Sequence, residues 1–189
     1  IIDLTKAIEL NPKDSEAFFK RGLSKSSLND KEGAISDFVK VIKLNPRHPE
    51  VFTARGLYKR QLKDYQGSID DLTKAIELNP INADLYYYRG TSRFKLNNNL
   101  DALSDFKMAI ELNTTIKNVY YYLGRSKYFL EDYEGAISDF TMTINLYPKD
   151  ASSYYFRGIS KRILEDDQGS IQDLNKAIEL NPKFQYAYY

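Results

Sequence analysis

A repeat of 34 residues runs along the whole chain and constrains its fold more than any other feature. The segments "NPKDSEAFFKRG", "NPRHPEVFTARG" and "NPINADLYYYRG" begin at residues 11, 45 and 79, and related segments begin at 113, 147 and 181. No insertion or deletion interrupts this spacing. A fixed period of this length is typical of arrays in which each repeat is one supersecondary unit that buries its apolar face against its neighbours.

The period divides the chain into five complete repeats with partial repeats at both ends. The complete repeats are 11–44, 45–78, 79–112, 113–146 and 147–180. Residues 1–10 match the second half of a repeat, and residues 181–189 match the beginning of one. We therefore expect a single array fragment, 1–189, that is cut within a repeat at each end.

Each repeat carries the apolar spacing of two short helices. In the first complete repeat the second helix is predicted from about Glu32 to Leu44, before Asn45 and Pro46. At ~1.5 Å per residue such helices are about 20 Å long, too short to be stable alone. The sequence therefore predicts an all-α fold, an α-solenoid of 34-residue helix–turn–helix repeats.

Small and aromatic residues recur at fixed positions and predict how the helices pack. Glycine in a helix costs up to ~1 kcal/mol relative to alanine, so a repeated glycine indicates a close approach. The glycine column is Gly22, Gly56, Gly90, Gly124 and Gly158, and we expect it to face Ala34, Ser68, Ala102, Ala136 and Ser170. The predicted aromatic and leucine core is Phe18, Phe52, Tyr86, Tyr120 and Tyr154, with Phe38, Leu72, Phe106, Phe140 and Leu174.

These columns, together with a proline column, resemble the tetratricopeptide repeat family along the whole chain. The prolines are Pro46, Pro80, Pro148 and Pro182, with Thr114 in place of the fifth. Where the family usually has leucine before the glycine, this chain has Arg21, Arg55, Arg89 and Arg157, and only Leu123 conforms. Where the family has tyrosine, it has Lys25, Lys59, Arg93, Lys127 and Lys161. The resemblance implies a right-handed superhelix whose first helices line a concave wall that receives an extended peptide or a partner helix.

The arginine column has a matching aspartate column in the second helices. The aspartates are Asp3, Asp37, Asp71, Asp105, Asp139 and Asp173. A guanidinium at an interhelical seam needs a carboxylate to meet its donors, so we predict a structural Arg–Asp ladder rather than a catalytic array. Because Leu123 interrupts the arginines, one neighbouring aspartate, Asp105 or Asp139, is expected to find another partner.

A second helical stripe, distinct from the core column, is the candidate binding surface. Consecutive helical residues point about 100° apart, so the tyrosines of "DLYYYRG" cannot share one face. The predicted partner-binding residues are Tyr87, Tyr88, Thr91, Phe94, Tyr121, Tyr122, Arg125, Tyr128, Tyr155, Phe156, Ile159 and Arg162. The first two repeats carry a plainer stripe that includes Glu16, Leu23, Ala54, Leu57 and Arg60.

Two interpretations of this stripe remain open. Tyr88, Tyr122 and Phe156 either contact a ligand or only pack against neighbouring first helices, whereas Tyr87, Tyr121 and Tyr155 are expected to be freer. Tyrosine offers apolar area with little rotamer entropy to lose, and its hydroxyl can bond a peptide backbone. We therefore expect a protein or peptide partner with an apolar or proline-containing segment, bound mainly by the third to fifth repeats.

Several function classes are disfavoured by the sequence. There are 27 Lys plus Arg against 26 Asp plus Glu, and the groove mouth carries Glu16, Glu50 and Asp84, so we expect no nucleic-acid partner. Cysteine is absent and His48 is the only histidine, so no catalytic, metal or cofactor site is predicted. No apolar run is long enough for membrane insertion, and the compartment stays open.

Two alternatives to a peptide-binding adaptor remain. Array ends without polar caps stack on copies of themselves, so head-to-tail self-association through Ile1, Leu4, Tyr186 and Tyr188 is one of them. The other is a non-catalytic regulatory array of a larger enzyme.

Overall fold

The computed structural model describes residues 1–113, 115–116 and 118–182, and within them every regular element is an α-helix. The predicted all-α class and the pairing of helices at a 34-residue period are confirmed. Thr114, Tyr186 and Tyr188, singled out by the sequence, lie outside the described residues. The helices are α1 Ile2–Leu10, α2 Ser15–Ser27, α3 Lys31–Leu44, α4 Pro49–Gln61, α5 Tyr65–Leu78, α6 Ala83–Lys95, α7 Asn99–Leu112, α8 Val119–Phe129, α9 Tyr133–Leu146, α10 Ala151–Ile163 and α11 Asp167–Leu180.

The helices belong to two compact units. The first unit is Ile1–Ser92, and the second begins at Arg93, within the last turn of α6. In the first unit α1 packs on α2, α2 on α3, α3 on α4, and α4 on α5. In the second unit α7 packs on α8, α8 on α9, α9 on α10, and α10 on α11. Within each unit these helices thus pack against the helices next to them in the sequence, as the shortness of the helices requires.

A single type of turn joins the two helices of every repeat. The turn residue adopts positive φ, between 59° and 64°, in all five repeats: Asn29, Lys63, Asn97, Glu131 and Glu165. The backbone N–H of the next residue, Asp30 in the first repeat, donates to the carbonyl of Lys25, which satisfies the helix end. The Asp30 carboxylate then accepts from the N–H of Gly33 and caps α3. One residue therefore ends one helix and the next begins the other.

The segment 96–103, which departs from the sequence pattern, still forms this turn. Asn97 has φ of 60°, and Asn98 caps α7 by accepting from the N–H of Asp101. That hydrogen bond is 3.4 Å, whereas the matching bond from Gly33 is 3.0 Å. In the other repeats a Cβ at the glycine position would lie within 2.1–2.3 Å of the capping carboxylate. The departure therefore lengthens the cap without changing the fold.

The glycine column allows close helix packing, and the predicted small-residue column is among its nearest neighbours only in part: a Cβ on Gly56 would lie 3.4 Å from the carbonyl oxygen of Ser68. A Cβ on Gly22 would lie 2.8 Å from the ring of Phe38 and 3.3 Å from the Cβ of Asp37. Ala34 is fully buried, yet it is not among the nearest groups to Gly22. The glycine thus makes room for the large core residue of the facing helix and for the start of the aspartate side chain. Phe38, Leu72, Phe106 and Phe140 are fully buried, as predicted.

Candidate peptide-binding surface

Three arginines of the first helices form two-pronged ion pairs with aspartates of the second helices. Nε and Nη2 of each guanidinium donate to the two carboxylate oxygens at 2.6–2.9 Å. This geometry satisfies a planar guanidinium and confirms the predicted ladder at these positions. The pairs are Arg21–Asp37 and Arg55–Asp71 in the first unit and Arg157–Asp173 in the second.

A second cation on each aspartate was not recognised from the sequence. Lys25 Nζ lies 2.9 Å from Oδ2 of Asp37, and Lys59 and Lys161 take the same position on Asp71 and Asp173. Arg93 contacts Asp105 in the same way, at 2.8 Å. The signal was present as the basic column that replaces the family's tyrosine. Its spacing of 12 residues from the aspartate column would have identified the contact.

The two cations lower the pKa of the aspartate. Burial would raise the pKa of Asp37, but hydrogen bonds and charge from Arg21 and Lys25 outweigh it and hold the pKa below its ordinary value. The hydrogen bond from Arg21 to Asp37 in turn raises the pKa of Arg21, against the opposing effect of burial. The seam is therefore an ionised, structural network.

The arginine also reaches the preceding second helix. Nη1 of Arg21 donates to the hydroxyl of Thr5 in α1 at 3.2 Å, while its other nitrogens bind Asp37 in α3. Arg157 makes the same bond to Thr141 at 3.1 Å. Each such arginine joins two successive second helices through the first helix that lies between them.

The fourth repeat lacks the arginine, and its aspartate differs as predicted. The buried Leu123 stands at the arginine position, and Lys127 Nζ forms an ion pair with Asp139 Oδ2 at 2.7 Å. Burial raises the pKa of Asp139 above its ordinary value, and Lys127 offsets only part of that effect. The same carboxylate position is thus stabilised in its charged form in one repeat and penalised in another.

In the first unit the predicted stripe is half-buried around α6. The rings of Tyr87 and Tyr88 lie 5.5 Å apart, and Tyr88 packs against the apolar core. The guanidinium of Arg60 lies 5.8 Å from the centre of the Tyr88 ring. Thr91 is 1% exposed and donates its hydroxyl to the carbonyl of Tyr88. Thr91 therefore supports the surface from below.

A cavity of about 370 Å³ opens on the plainer stripe of the first unit. Leu23 from α2, Ala54 and Leu57 from α4, and Leu85 from α6 give it an apolar wall, and Glu50 lies at it. Sequence reasoning placed the binding region in later repeats and did not predict this cavity. The relevant signal was the small size of Thr53 and Ala54, which stand at the positions that Tyr87 and Tyr88 occupy in the next repeat.

In the second unit the stripe forms a continuous network of aromatic rings. The Phe156 ring stacks on Phe140 at 5.7 Å, and the Tyr122 ring stacks on Phe106 at 5.8 Å. Tyr121 contacts Tyr122, Phe140 and Phe156 at 5.4–6.3 Å. Tyr122 and Phe156 therefore pack into the core, which favours the packing interpretation for these two residues.

The outer members of the network remain partly exposed. Tyr121, Tyr128 and Tyr155 are half-buried, whereas Phe94 and Ile159 are 7% and 8% exposed. Burial raises the pKa of both Tyr121 and Tyr128, so both hydroxyls stay protonated near neutral pH. Arg162 is exposed on α10. The predicted set thus divides into buried residues that form a floor and partly exposed residues above it.

Arg125 occupies the centre of this network. Its Cζ lies 4.8 Å from the ring centre of Phe94 and 4.7 Å from that of Phe156. Tyr121 and Phe129 are 5.7 and 5.6 Å away. Distances below about 6 Å allow an attractive cation–π interaction. Four rings from α6, α8 and α10 therefore surround one cation.

The described residues contain neither a cluster suited to a metal ion nor a helix long and apolar enough to cross a membrane. His48 packs against Phe19 with its ring tilted by 50° and 4.8 Å between ring centres, and its Nδ1 lies 3.0 Å from a carboxylate oxygen of Glu50. These contacts give His48, the only histidine in the sequence, a packing role at the start of α4.

Comparison with known proteins places this architecture in a family. Models of the tetratricopeptide repeat match residues 15–48, 53–115, 118–150 and 151–184. No curated protein matches the sequence. The crystal structure of YrrB, a TPR protein with an unusual peptide-binding site, superposes with a TM-score of 0.90 and 26% identity over 98% of this chain and 95% of that one.

Two further solved structures share the fold. MamA superposes with a TM-score of 0.84 and 25% identity over 89% of this chain and 92% of that chain. PilF of Pseudomonas aeruginosa superposes with a TM-score of 0.79 over 99% of this chain and 85% of that chain, at 17% identity. Together with the matching repeat models, the helix pairs and glycine column show that this chain belongs to the tetratricopeptide repeat family.

Proposed function

We propose that this chain is a protein-interaction array that binds an extended peptide or a partner helix on the aromatic surface of its first helices. The observation that carries the proposal is the ring network of the second unit, in which Tyr121 and Tyr155 are partly exposed above stacked core rings. A rigid aromatic surface presents a large apolar area without losing much side-chain entropy on binding.

The proposed contacts are a subset of the predicted stripe. Tyr87, Tyr121 and Tyr155 are the principal ligand contacts, and Tyr128 and Arg162 extend them along α8 and α10. Tyr88, Tyr122 and Phe156 orient these residues by packing beneath them. Thr91, Phe94 and Ile159 form the buried floor.

The chemistry of the surface favours an apolar or proline-containing segment. Aromatic rings pack against proline and aliphatic side chains, and phenol hydroxyls bond to the carbonyls of an extended backbone. A related fold, that of YrrB, carries a peptide-binding site. We expect a scaffold or adaptor role without catalysis, in which the array positions its partner rather than altering it.

The test is to replace Tyr87, Tyr121 and Tyr155 together by alanine. Fluorescently labelled peptides from an array of proline-containing and apolar segments would be ranked for binding to the unaltered chain, and anisotropy would measure the affinity of the best one. We expect a loss of at least about tenfold, since truncating interface aromatics commonly costs more than ~1.4 kcal/mol.

The matched control replaces Tyr86, Tyr120 and Tyr154, which lie on the same three helices one position earlier. Tyr86 faces away from the stripe and donates its hydroxyl to the carbonyl of Pro80 at 3.1 Å. Both triple variants are checked for retained helicity and for their thermal midpoint. Equal affinity of the two variants for the peptide would remove the proposal.

Self-association is retained as a second candidate because α1 exposes apolar side chains. Ile2 and Leu10 are 84% and 81% exposed, and α1 has no buried residue. Light scattering over a range of protein concentration tests it. A rise in mass that disappears in an Ile2→Ser, Leu10→Ser double variant would support stacking through this helix, and a constant monomer mass would exclude it.

A further inference from the structure

Arg125 differs from the arginines of the Arg–Asp ladder in that it has no aspartate partner among the described residues. Arg21, Arg55 and Arg157 each give two hydrogen bonds to an aspartate. Within the part of the chain that the structure describes, no carboxylate lies within ion-pair distance of Arg125. Its Nε is buried and has no hydrogen-bond partner.

The rings stabilise the charge of Arg125 only in part. Cation–π contacts contribute through the ring faces, but they supply no acceptor to the buried Nε–H, and the hydrogen-bond partner of the guanidinium in this network, the Tyr121 hydroxyl, is neutral. A desolvated cation that lacks an anion retains an uncompensated charge, so an incoming anion gains more there than at a solvated surface. Arg125 as a whole keeps part of its surface exposed, which leaves it accessible from the side of the predicted stripe.

We propose that Arg125 is a carboxylate-recognition point for the bound segment, an inference that rests on the proposed peptide-binding function. A planar carboxylate matches the fork of N–H donors in the same way as the aspartates of the ladder do. The ring of Phe129, 49% exposed and 5.6 Å from the guanidinium, fits an apolar or aromatic group next to that carboxylate. The ligand chemistry is therefore an acidic group flanked by a hydrophobic side chain.

Nearby charge favours a carboxylate over a phosphate. Asp150 contributes a negative charge at Tyr121, the neighbour of Arg125 in the network, and it is held at the start of α10 by the N–H and hydroxyl of Ser153. A dianionic phosphate suffers about twice the repulsion that a carboxylate suffers from the same aspartate. Arg125 lies within 6 Å of the ring centres of Phe94, Phe129 and Phe156.

The experiment titrates small probes into the full chain labelled with nitrogen-15 and follows the Nε–H signal of Arg125. N-acetylphenylalanine carries a terminal carboxylate, N-acetyl-Phe-Glu-amide carries a side-chain carboxylate, and N-acetylphenylalaninamide carries none. We expect at least one acid to shift this signal and to bind roughly 10- to 100-fold more tightly than the amide, since a charge-assisted hydrogen bond is stronger than a neutral one. Whichever acid binds more tightly identifies the source of the carboxylate.

Three variants separate this inference from the proposed function. Arg125→Gln should abolish the preference for acids, and Arg125→Lys should retain a weaker preference because it keeps the charge without the fork. Arg60→Gln is the matched control, because Arg60 lies over a single ring, Tyr88, and should leave the preference unchanged. Circular dichroism checks that each variant folds.

The outcomes distinguish two failures. If acids and amide bind Arg125 equally, or no acid shifts its signal up to the solubility limit, the carboxylate inference is overturned. The proposed function then still stands wherever the triple tyrosine variant loses affinity for its best peptide. If Arg125→Gln keeps the preference for acids, another cation is responsible and the assignment to Arg125 is wrong.

Discussion

Asp37 and Asp139 occupy the same position in two repeats, yet their carboxylates experience opposite environments. Asp37 binds both Arg21 and Lys25, and its pKa lies below the ordinary value. Asp139 has Lys127 alone, and its pKa lies above it. Both side chains are buried, and Asp139 lacks the arginine that binds Asp37.

A lysine alone and a lysine with an arginine offset different shares of the cost of burying a carboxylate. A single lysine leaves part of the desolvation cost of a buried carboxylate uncompensated, whereas a lysine together with a two-pronged arginine reverses the balance. The arginine therefore stabilises the ionised aspartate beyond what the lysine alone supplies. The fourth repeat keeps the aspartate while using the arginine position for an apolar contact.

The largest effect is expected from removing the carboxylate charge. Asp37→Asn leaves Arg21 and Lys25 without an anion and should cost about 2–3 kcal/mol of unfolding free energy, since breaking a buried pair strands its partners. Asp139→Asn strands only Lys127 and removes a penalised charge, so it should cost about 1 kcal/mol or less. Urea denaturation at neutral pH measures both. Equal losses would contradict the comparison.

Arg21→Leu should convert the environment of Asp37 into that of Asp139. We expect a loss of about 1–2 kcal/mol, because the charge-assisted bonds to Asp37 disappear while Lys25 remains. The pKa of Asp37, followed by NMR of its carboxyl carbon, should rise above the ordinary value. Arg21→Lys is the control for charge alone, and an unshifted pKa in Arg21→Leu would argue that Lys25 suffices.

The two aspartates should impose opposite slopes on stability in the acid range. The pKa of Asp37 is lowered by folding, so its stabilisation is complete above the unfolded-state pKa and is lost as pH falls through the folded-state pKa. The pKa of Asp139 is raised, so the wild-type chain gains stability as pH falls through the folded-state value. We measure the free energy of unfolding of the unaltered chain and of each asparagine variant by urea denaturation at a series of pH values. The difference between the unaltered chain and its variant should change by about 1 kcal/mol over the acid range, with opposite sign for the two aspartates.

Leu123→Arg should change stability least, and it tests most directly whether the missing arginine causes the raised pKa of Asp139. The new guanidinium gains the aspartate but loses the buried leucine contacts, so the net change should stay under about 1 kcal/mol. The pKa of Asp139 should nevertheless fall below its ordinary value. A pKa that stays raised would mean that burial, and not the missing arginine, decides the state of this carboxylate.

Periodicity made the helices and the ladder predictable. The spacing of glycine, aromatic and proline residues predicted the helix pairs, and the match of Arg21 with Asp37 followed from the need to pair a desolvated charge. The interruption at Leu123 was predicted to leave Asp105 or Asp139 with another partner, and the structure shows Asp139 paired with Lys127. The helix pairs and the Arg–Asp pairs depend only on which residue types recur at which positions, and these can be read directly from the sequence.

Contacts that depend on the distance between helices were not predictable in the same way. The groups nearest to Gly22 are Phe38 and Asp37, because the crossing of α2 and α3 decides which side chain enters the gap. The stacking of Phe156 on Phe140 likewise depends on the approach of α9 and α10. To predict that Arg125 lies among four rings, one would need the helix spacing, the side-chain rotamers and the register of neighbouring helices. The sequence alone gives none of these directly.

Arg21 in α2 bonds both to Thr5 in α1 and to Asp37 in α3, so it links two second helices to each other. Leu123 leaves the junction of α7 and α9 without that fastening, and Lys107 stands where Thr5 and Thr141 stand elsewhere. Under a pulling force, or during slow amide exchange, the second unit should therefore begin to open at the fourth repeat, while Arg157 keeps its neighbours joined.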